Sequence, residues 1–99
     1  MSDENKYKIK WSSKFKKEYK AAMKRGLDMN LIDDVIRSLA KDDRKKLEQD
    51  YGDHPLTGNW KGHRELRVLP DWILIYFIED DVLVLTLSRT GTHSDLYKK

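Results

Sequence analysis

The sequence predicts an α+β fold in which two amphipathic helices pack on one face of a small antiparallel sheet. Three observations carry this prediction. The alternating pattern KYKIKW comes first, two stretches with apolar residues at helical spacing follow it, and RELRVL, WILIYFI and VLVLTLS come last with no helix between them. A chain of 99 residues holds one core, and no linker, repeat or low-complexity tract divides it, so residues 1–99 are expected to form one domain.

In KYKIKW the residues Tyr7, Ile9 and Trp11 share one side, as in a strand with one buried face. Ser12 and Ser13 offer a helix N-cap, because a hydroxyl oxygen accepts from an otherwise unpaired amide of the first turn. Phe15, Tyr19, Ala22 and Met23 then form an apolar stripe among lysines, ending at Gly26. Asp28 caps a second helix with Leu31, Ile32, Val35, Ile36 and Leu39 on its buried side, giving an antiparallel helical hairpin. KDDRKKLEQDYG is poor in apolar residues and fits a short charged helix or a loop, and Pro55, Gly58 and Gly62 mark DHPLTGNWKG as loop. RELRVL alternates, Pro70 and Asp71 interrupt it, and WILIYFI is apolar on both sides like a central strand. Glu79, Asp80 and Asp81 form a turn before the last strand, VLVLTLS.

The chain has no cysteine, which excludes disulfides and thiolate metal sites and suits a reducing compartment. MSDENKYKIKW lacks the apolar core of a signal peptide and no stretch is long enough to span a membrane, so a cytoplasmic protein is expected. The net charge of +3 is unevenly spread: the first 25 residues hold nine lysines and arginines against three acids. Such a helix is either a solvated face or a surface for a polyanion or an acidic partner.

The three histidines, His54, His63 and His93, lie outside the helical apolar stripes. Imidazole titrates at about 6.5 in model peptides, so two of them at one site can exchange protons without large perturbation. Their spacings of 9 and 30 residues match no local metal-ligand motif. Counted by twos, Arg89 shares a strand face with Leu87, Leu85 and Leu83, and its fork suits either Asp71, Asp95 or a phosphate. Gly91 permits a turn that brings His93 back toward Arg89. Cleavage of an RNA phosphodiester needs a base for the 2′-hydroxyl, a cation for the charge growing on phosphorus-bound oxygens, and an acid for the leaving 5′-oxygen. Histidines or a carboxylate, an arginine, and an aromatic ring such as Trp72 or Tyr97 meet those needs.

DHPLTGNWKGHREL, LPDWILIY and LSRTGTHSDLY, in this order and spacing, resemble the YafQ-type toxins of the RelE/ParE superfamily, closely over about residues 50 to 97 and more loosely before them. The resemblance implies a RelE-like fold, with an N-terminal strand and two-helix hairpin packed on a small antiparallel sheet with a C-terminal meander. It also implies a metal-independent, cofactor-free mRNA interferase that cuts translated mRNA on the ribosome through the RNA's own 2′-hydroxyl. The implied partners are a cognate antitoxin, the ribosome with its RNA, and mRNA, with neither a membrane nor a small-molecule cofactor.

Motif by motif, the resemblance assigns His54 of DHPL, Asp71 of PDW, and Arg89 and His93 of RTGTH to catalysis. It assigns Trp72 and Tyr97 to the substrate, and the cations Lys61 and Arg67 are expected to bind the substrate as well. Tyr97 stands where family members often carry phenylalanine, and keeps the stacking surface. Arg67 stands where a well-studied branch has a histidine; arginine stays protonated and can hold phosphate but cannot take a proton. His63 occupies a position usually held by tyrosine. The expected acid–base pair is therefore His93 with either His54 or Asp71. The rival readings are a noncatalytic nucleic-acid- or protein-binding module and a ParE-like gyrase inhibitor on the same fold. A pair of histidines weighs against both, since binding alone has no need of two proton-exchanging groups.

Overall fold

The computed structural model describes residues 5–97. Two side chains decide where its first helices begin. The Ser12 hydroxyl accepts from the Phe15 amide at 3.0 Å and starts α1 (Ser13–Lys24), and the Asp28 carboxylate accepts from the Asn30 amide at 3.1 Å and starts α2 (Met29–Lys41). The charged stretch after them is a helix and not a loop: Asp43 caps α3 (Arg44–Tyr51), Leu47 anchors it in the core, and Gly52 ends it at φ 65°. No helix among the described residues is long and apolar enough to cross a membrane.

The strands are β1 (Lys8–Trp11), β2 (His54–Pro55), β3 (Arg64–Leu69), β4 (Trp72–Glu79) and β5 (Val84–Gly91), in the sheet order β1-β5-β4-β3-β2. The expected meander β3-β4-β5 is thus the centre of a wider, mixed sheet. β1 joins it parallel to β5, with Ile9 opposite Leu85 and Trp11 opposite Leu87. The presumed loop DHPLTGNWKG supplies the edge strand β2 and a 3₁₀ turn, Gly58–Trp60. The β4–β5 turn is wider than the sequence suggested. Val82 and Leu83 lie outside β5 and stay exposed, Leu83 at φ 53°.

One sheet face takes the three helices. Phe15, Ile32, Leu39 and Leu47 pack there on Leu66, Leu74, Tyr76 and Leu87. The opposite face is also partly covered, as the two-sided apolarity of WILIYFI predicts: Leu96 of the short α4 (His93–Leu96) closes over Ile73 and Ile75, flanked by Leu56 and Trp60.

A buried carboxylate ties these layers together. Asp53, whose side chain is fully buried, accepts from Arg64 Nε at 2.7 Å, from Arg44 Nη1 at 3.4 Å and from the Tyr76 hydroxyl. It thereby links α3, β3 and β4. Burial, and then the bond to Asp53, raise the Tyr76 hydroxyl's pKa well above the usual tyrosine value, with Arg44 opposing, so the phenol stays a donor. Removing one member of such a group leaves uncompensated buried polarity. We expect Asp53→Ala to lower the unfolding free energy by about 3 kcal/mol and Tyr76→Phe by about 1.5 kcal/mol, measured by urea denaturation.

Candidate active site

Strand alternation separates residue 53 from residue 54. Asp53 reaches into the helix-side network, so His54, the next residue, lies on the other face, where it pairs in register with Glu65 of β3. The carbonyl of Gly52 can only accept, so the 2.8 Å contact to His54 Nδ1 places a hydrogen on that nitrogen. The proton-exchanging capacity of His54 therefore resides at Nε2, which lies 3.5 Å from Glu65 Oε1.

α4 brings the chain's end to the same carboxylate. The Thr92 hydroxyl caps this helix by accepting from the Asp95 amide at 3.1 Å. His93 and Tyr97, four residues apart, share a side of it, with ring centroids 6.0 Å apart and planes 28° from parallel. His93 Nε2 lies 3.8 Å from Glu65 Oε1, and the Tyr97 hydroxyl donates to Glu65 Oε2. Glu65 is only 5% exposed. One buried carboxylate thus has two imidazole Nε2 atoms at 3.5 and 3.8 Å from one oxygen and a phenol bonded to the other. By those two distances the imidazole Nε2 atoms stand no more than about 7 Å apart, close enough for one phosphodiester to reach both.

Arg89 is arranged differently from the sequence expectation. A register shift between Ile75 and Tyr76 breaks the count by twos: Leu87 pairs with Tyr76 on the helix face, whereas Arg89 pairs with Ile75 on the opposite one. Its partner is neither Asp71 nor Asp95. Its Nε and Nη2 donate to Glu18 of α1 at 2.9 and 2.7 Å, and Glu18 also accepts from the Thr90 amide at 3.0 Å. Arg89 and Asp71 line a cavity of about 400 Å³ together with Arg25, Thr92 and Asp95. The four expected catalytic residues therefore fall into two pairs: His54 and His93 meet at Glu65, and Arg89 and Asp71 border the cavity. Arg89 links the two, since it stands in the same cross-strand row as Glu65 through Ile75.

The remaining candidates are more dispersed. Trp72 is buried, and its indole nitrogen donates to Thr90 Oγ1 at 3.0 Å, which in turn donates to the Ile73 carbonyl. It supports the cavity wall and offers no free ring face. Arg67 is exposed and lies over Gly52, where a Cβ would come within 2.8 Å of Nη2, so it flanks the backbone that orients His54. Lys61 is exposed just after the 3₁₀ turn. His63 packs edge-on against Trp60 and Phe77 at 5.2 and 5.1 Å. Glu65 and Glu18 went unrecognised in the sequence. A signal existed for Glu65: a strand beside WILIYFI, apolar on both sides, must bury residues on both of its own faces.

A small α+β domain that gathers two imidazoles around a buried carboxylate, with an arginine at the sheet edge, has the equipment of an acid–base nuclease or a close relative of one. Comparison with known proteins narrows this. The family model described as "Bacterial toxin of type II toxin-antitoxin system, YafQ" matches residues 7–98, and the chain belongs to that family. It is 43% identical to the mRNA interferase toxin YafQ of Escherichia coli K12 over 89 residues, 90% of this chain and 94% of that one. Its fold matches the toxin in the crystal structure of the E. coli DinJ–YafQ toxin–antitoxin complex with a TM-score of 0.81 at 41% identity, covering 93% of this chain and 98% of that one. A metal-bound toxin from Helicobacter pylori gives the same TM-score at 39% identity, covering 91% and 98%.

Burial, and then the bond to Glu65, raise the pKa of the Tyr97 hydroxyl above the usual tyrosine value. A raised folded-state value contributes stability that is present below the unfolded value and lost as pH rises through the folded one. The unfolding free energy should therefore decline above about pH 10, and Tyr97→Phe should make that decline shallower in denaturation series at increasing pH.

Proposed function

We propose that this chain is the toxin of a type II toxin–antitoxin system, acting in the cytoplasm as a ribosome-dependent endoribonuclease on translated mRNA. The observation that carries the chemistry is the convergence of His54 and His93 on Glu65. It favours His54 over Asp71 as the partner of His93, because both imidazoles approach the Glu65 carboxylate whereas Asp71 lines the cavity.

In this mechanism one imidazole takes the proton of the RNA 2′-hydroxyl as the 2′-oxygen attacks phosphorus. The other imidazole gives a proton to the 5′-oxygen as the P–O5′ bond breaks, leaving a cyclic phosphate and a 5′-hydroxyl. Glu65 orients both rings and stabilises whichever is protonated, while Tyr97 keeps the second carboxylate oxygen occupied. Arg89 meets the charge developing on the phosphate oxygens through the edge of its fork that Glu18 leaves open. Arg67 and Lys61 add cations near the loop that carries His54. Base, acid and electrophile are all supplied by side chains, so the reaction is assigned no metal. An antitoxin of the kind seen with the E. coli relative is the assigned partner, and Lys16, Lys17, Lys20 and Lys24 of α1 are assigned to ribosomal RNA phosphates.

The test is cleavage of mRNA on programmed ribosomes, with 5′ ends mapped. Cuts in phase with codons are expected, surviving a chelator. His93→Gln should slow cleavage by about 10²- to 10⁴-fold, the usual range for a general acid or base. Intact mRNA with the wild-type protein, or full activity of the variant, would reject the assignment.

A further inference from the structure

Beyond α4 the outer sheet face is open. Leu96 covers Ile73 and Ile75, but nearer β1 the same face carries Phe77, Thr86 and Lys10, aligned in register across β4, β5 and β1. Trp60 borders this strip on one side, and Ser12, Ser13 and Lys14 at the start of α1 close its end. The result is a groove of about 590 Å³.

Its lining has a consistent chemistry. Lys10, Lys14 and Arg89 contribute cations, and no carboxylate lines it. Lys10 and Lys14 are exposed and have no ion-pair partner among the described residues. Trp60 and Phe77 are half-buried, leaving ring surface in reach of a ligand. The cavity on the other side of Arg89 is the opposite case, since Glu18, Asp71 and Asp95 all line it.

We propose that this groove binds the single-stranded RNA substrate next to the scissile phosphate, a base lying against Trp60 and Phe77 while the backbone meets Lys10 and Lys14. The proposal rests on the nuclease reading above and states where its substrate strand runs. Aromatic rings between cations suit a polynucleotide: bases stack without regard to sequence, and phosphates take the lysines. An acidic peptide would use only the charges. The substrate strand is favoured over ribosomal RNA by continuity. Arg89 lines both groove and cavity, and the Trp60 ring lies 6.1 Å from Tyr97, whose hydroxyl sits on Glu65. A strand leaving the histidine pair therefore passes directly onto the groove.

The test uses the full-length protein and fluorescein-labelled 2′-O-methyl hexauridylate, which lacks the attacking hydroxyl, with anisotropy read across a salt series. The wild-type protein should bind with a slope of log affinity on log salt of about −2, as expected for three cations on a single strand. Lys10→Glu with Lys14→Glu, both at exposed positions, should weaken binding about tenfold or more and flatten that slope. Trp60→Leu, checked for folding by its melting curve, should cost about tenfold while keeping the slope. The proposal is overturned if the double charge variant binds the oligonucleotide like wild type, or if hexaglutamate binds as tightly as the RNA. It is also overturned if that variant loses ribosome binding while keeping the oligonucleotide. Oligonucleotide binding that follows this pattern in a protein that leaves ribosomal mRNA uncut would retain the groove and reject the nuclease reading.

Discussion

The carboxylate of Asp53 is the constraint on which the functional arrangement depends. A buried anion is tolerable only when hydrogen-bonded and paired, and Arg44, Arg64 and Tyr76 supply both from three different elements. Once residue 53 is held in the helix-side layer, the pleat leaves His54 no choice but the other face, opposite Glu65. The position of the imidazole proposed for acid–base work is thus fixed by a neighbour that has no part in the proposed chemistry. Gly52 contributes from the other direction: it ends α3 in a left-handed turn and presents its carbonyl to the imidazole.

The two faces of the sheet do different work. The helix side is an apolar core in which fully buried side chains such as Phe15, Leu39 and Leu87 interlock. The other side is only half covered, and its cover is four residues of helix held by a threonine cap and one leucine. That short element keeps His93 and Tyr97 on the carboxylate while turning Thr92 and Asp95 toward the cavity beside Arg89. Chemistry and binding surface can lie side by side because this layer is thin.

Local signals in the sequence were enough to place most elements. The hydroxyl of Ser12 and the carboxylate of Asp28 mark helix starts by side chain alone, and the apolar stripes and strand patterns need no tertiary information. The features that escaped are those set by distant parts of the chain. Nothing in KYKIKW states that it will lie parallel to β5. Nothing in LSRTG announces the register shift that moves Arg89 off the face of Leu87, and VLVLTLS gives no sign that its first two residues will be turn. Glu65 drew no role from its place in the alternating RELRVL, because a pattern does not say which side chains a distant helix will bring to one carboxylate. Family likeness supplied His54, Arg89 and His93 as candidates, and coordinates supplied the carboxylates that hold them.

The engagement of Arg89 with Glu18 limits what else that position can be. A guanidinium is a flat fork with donors on more than one edge, so it can satisfy the α1 carboxylate and still direct a hydrogen outward. An ammonium group is a single point of charge with no second edge, and would have to abandon one duty to perform the other. Side-chain shape, more than positive charge, therefore suits arginine to this position better than lysine, whose donors all radiate from one atom.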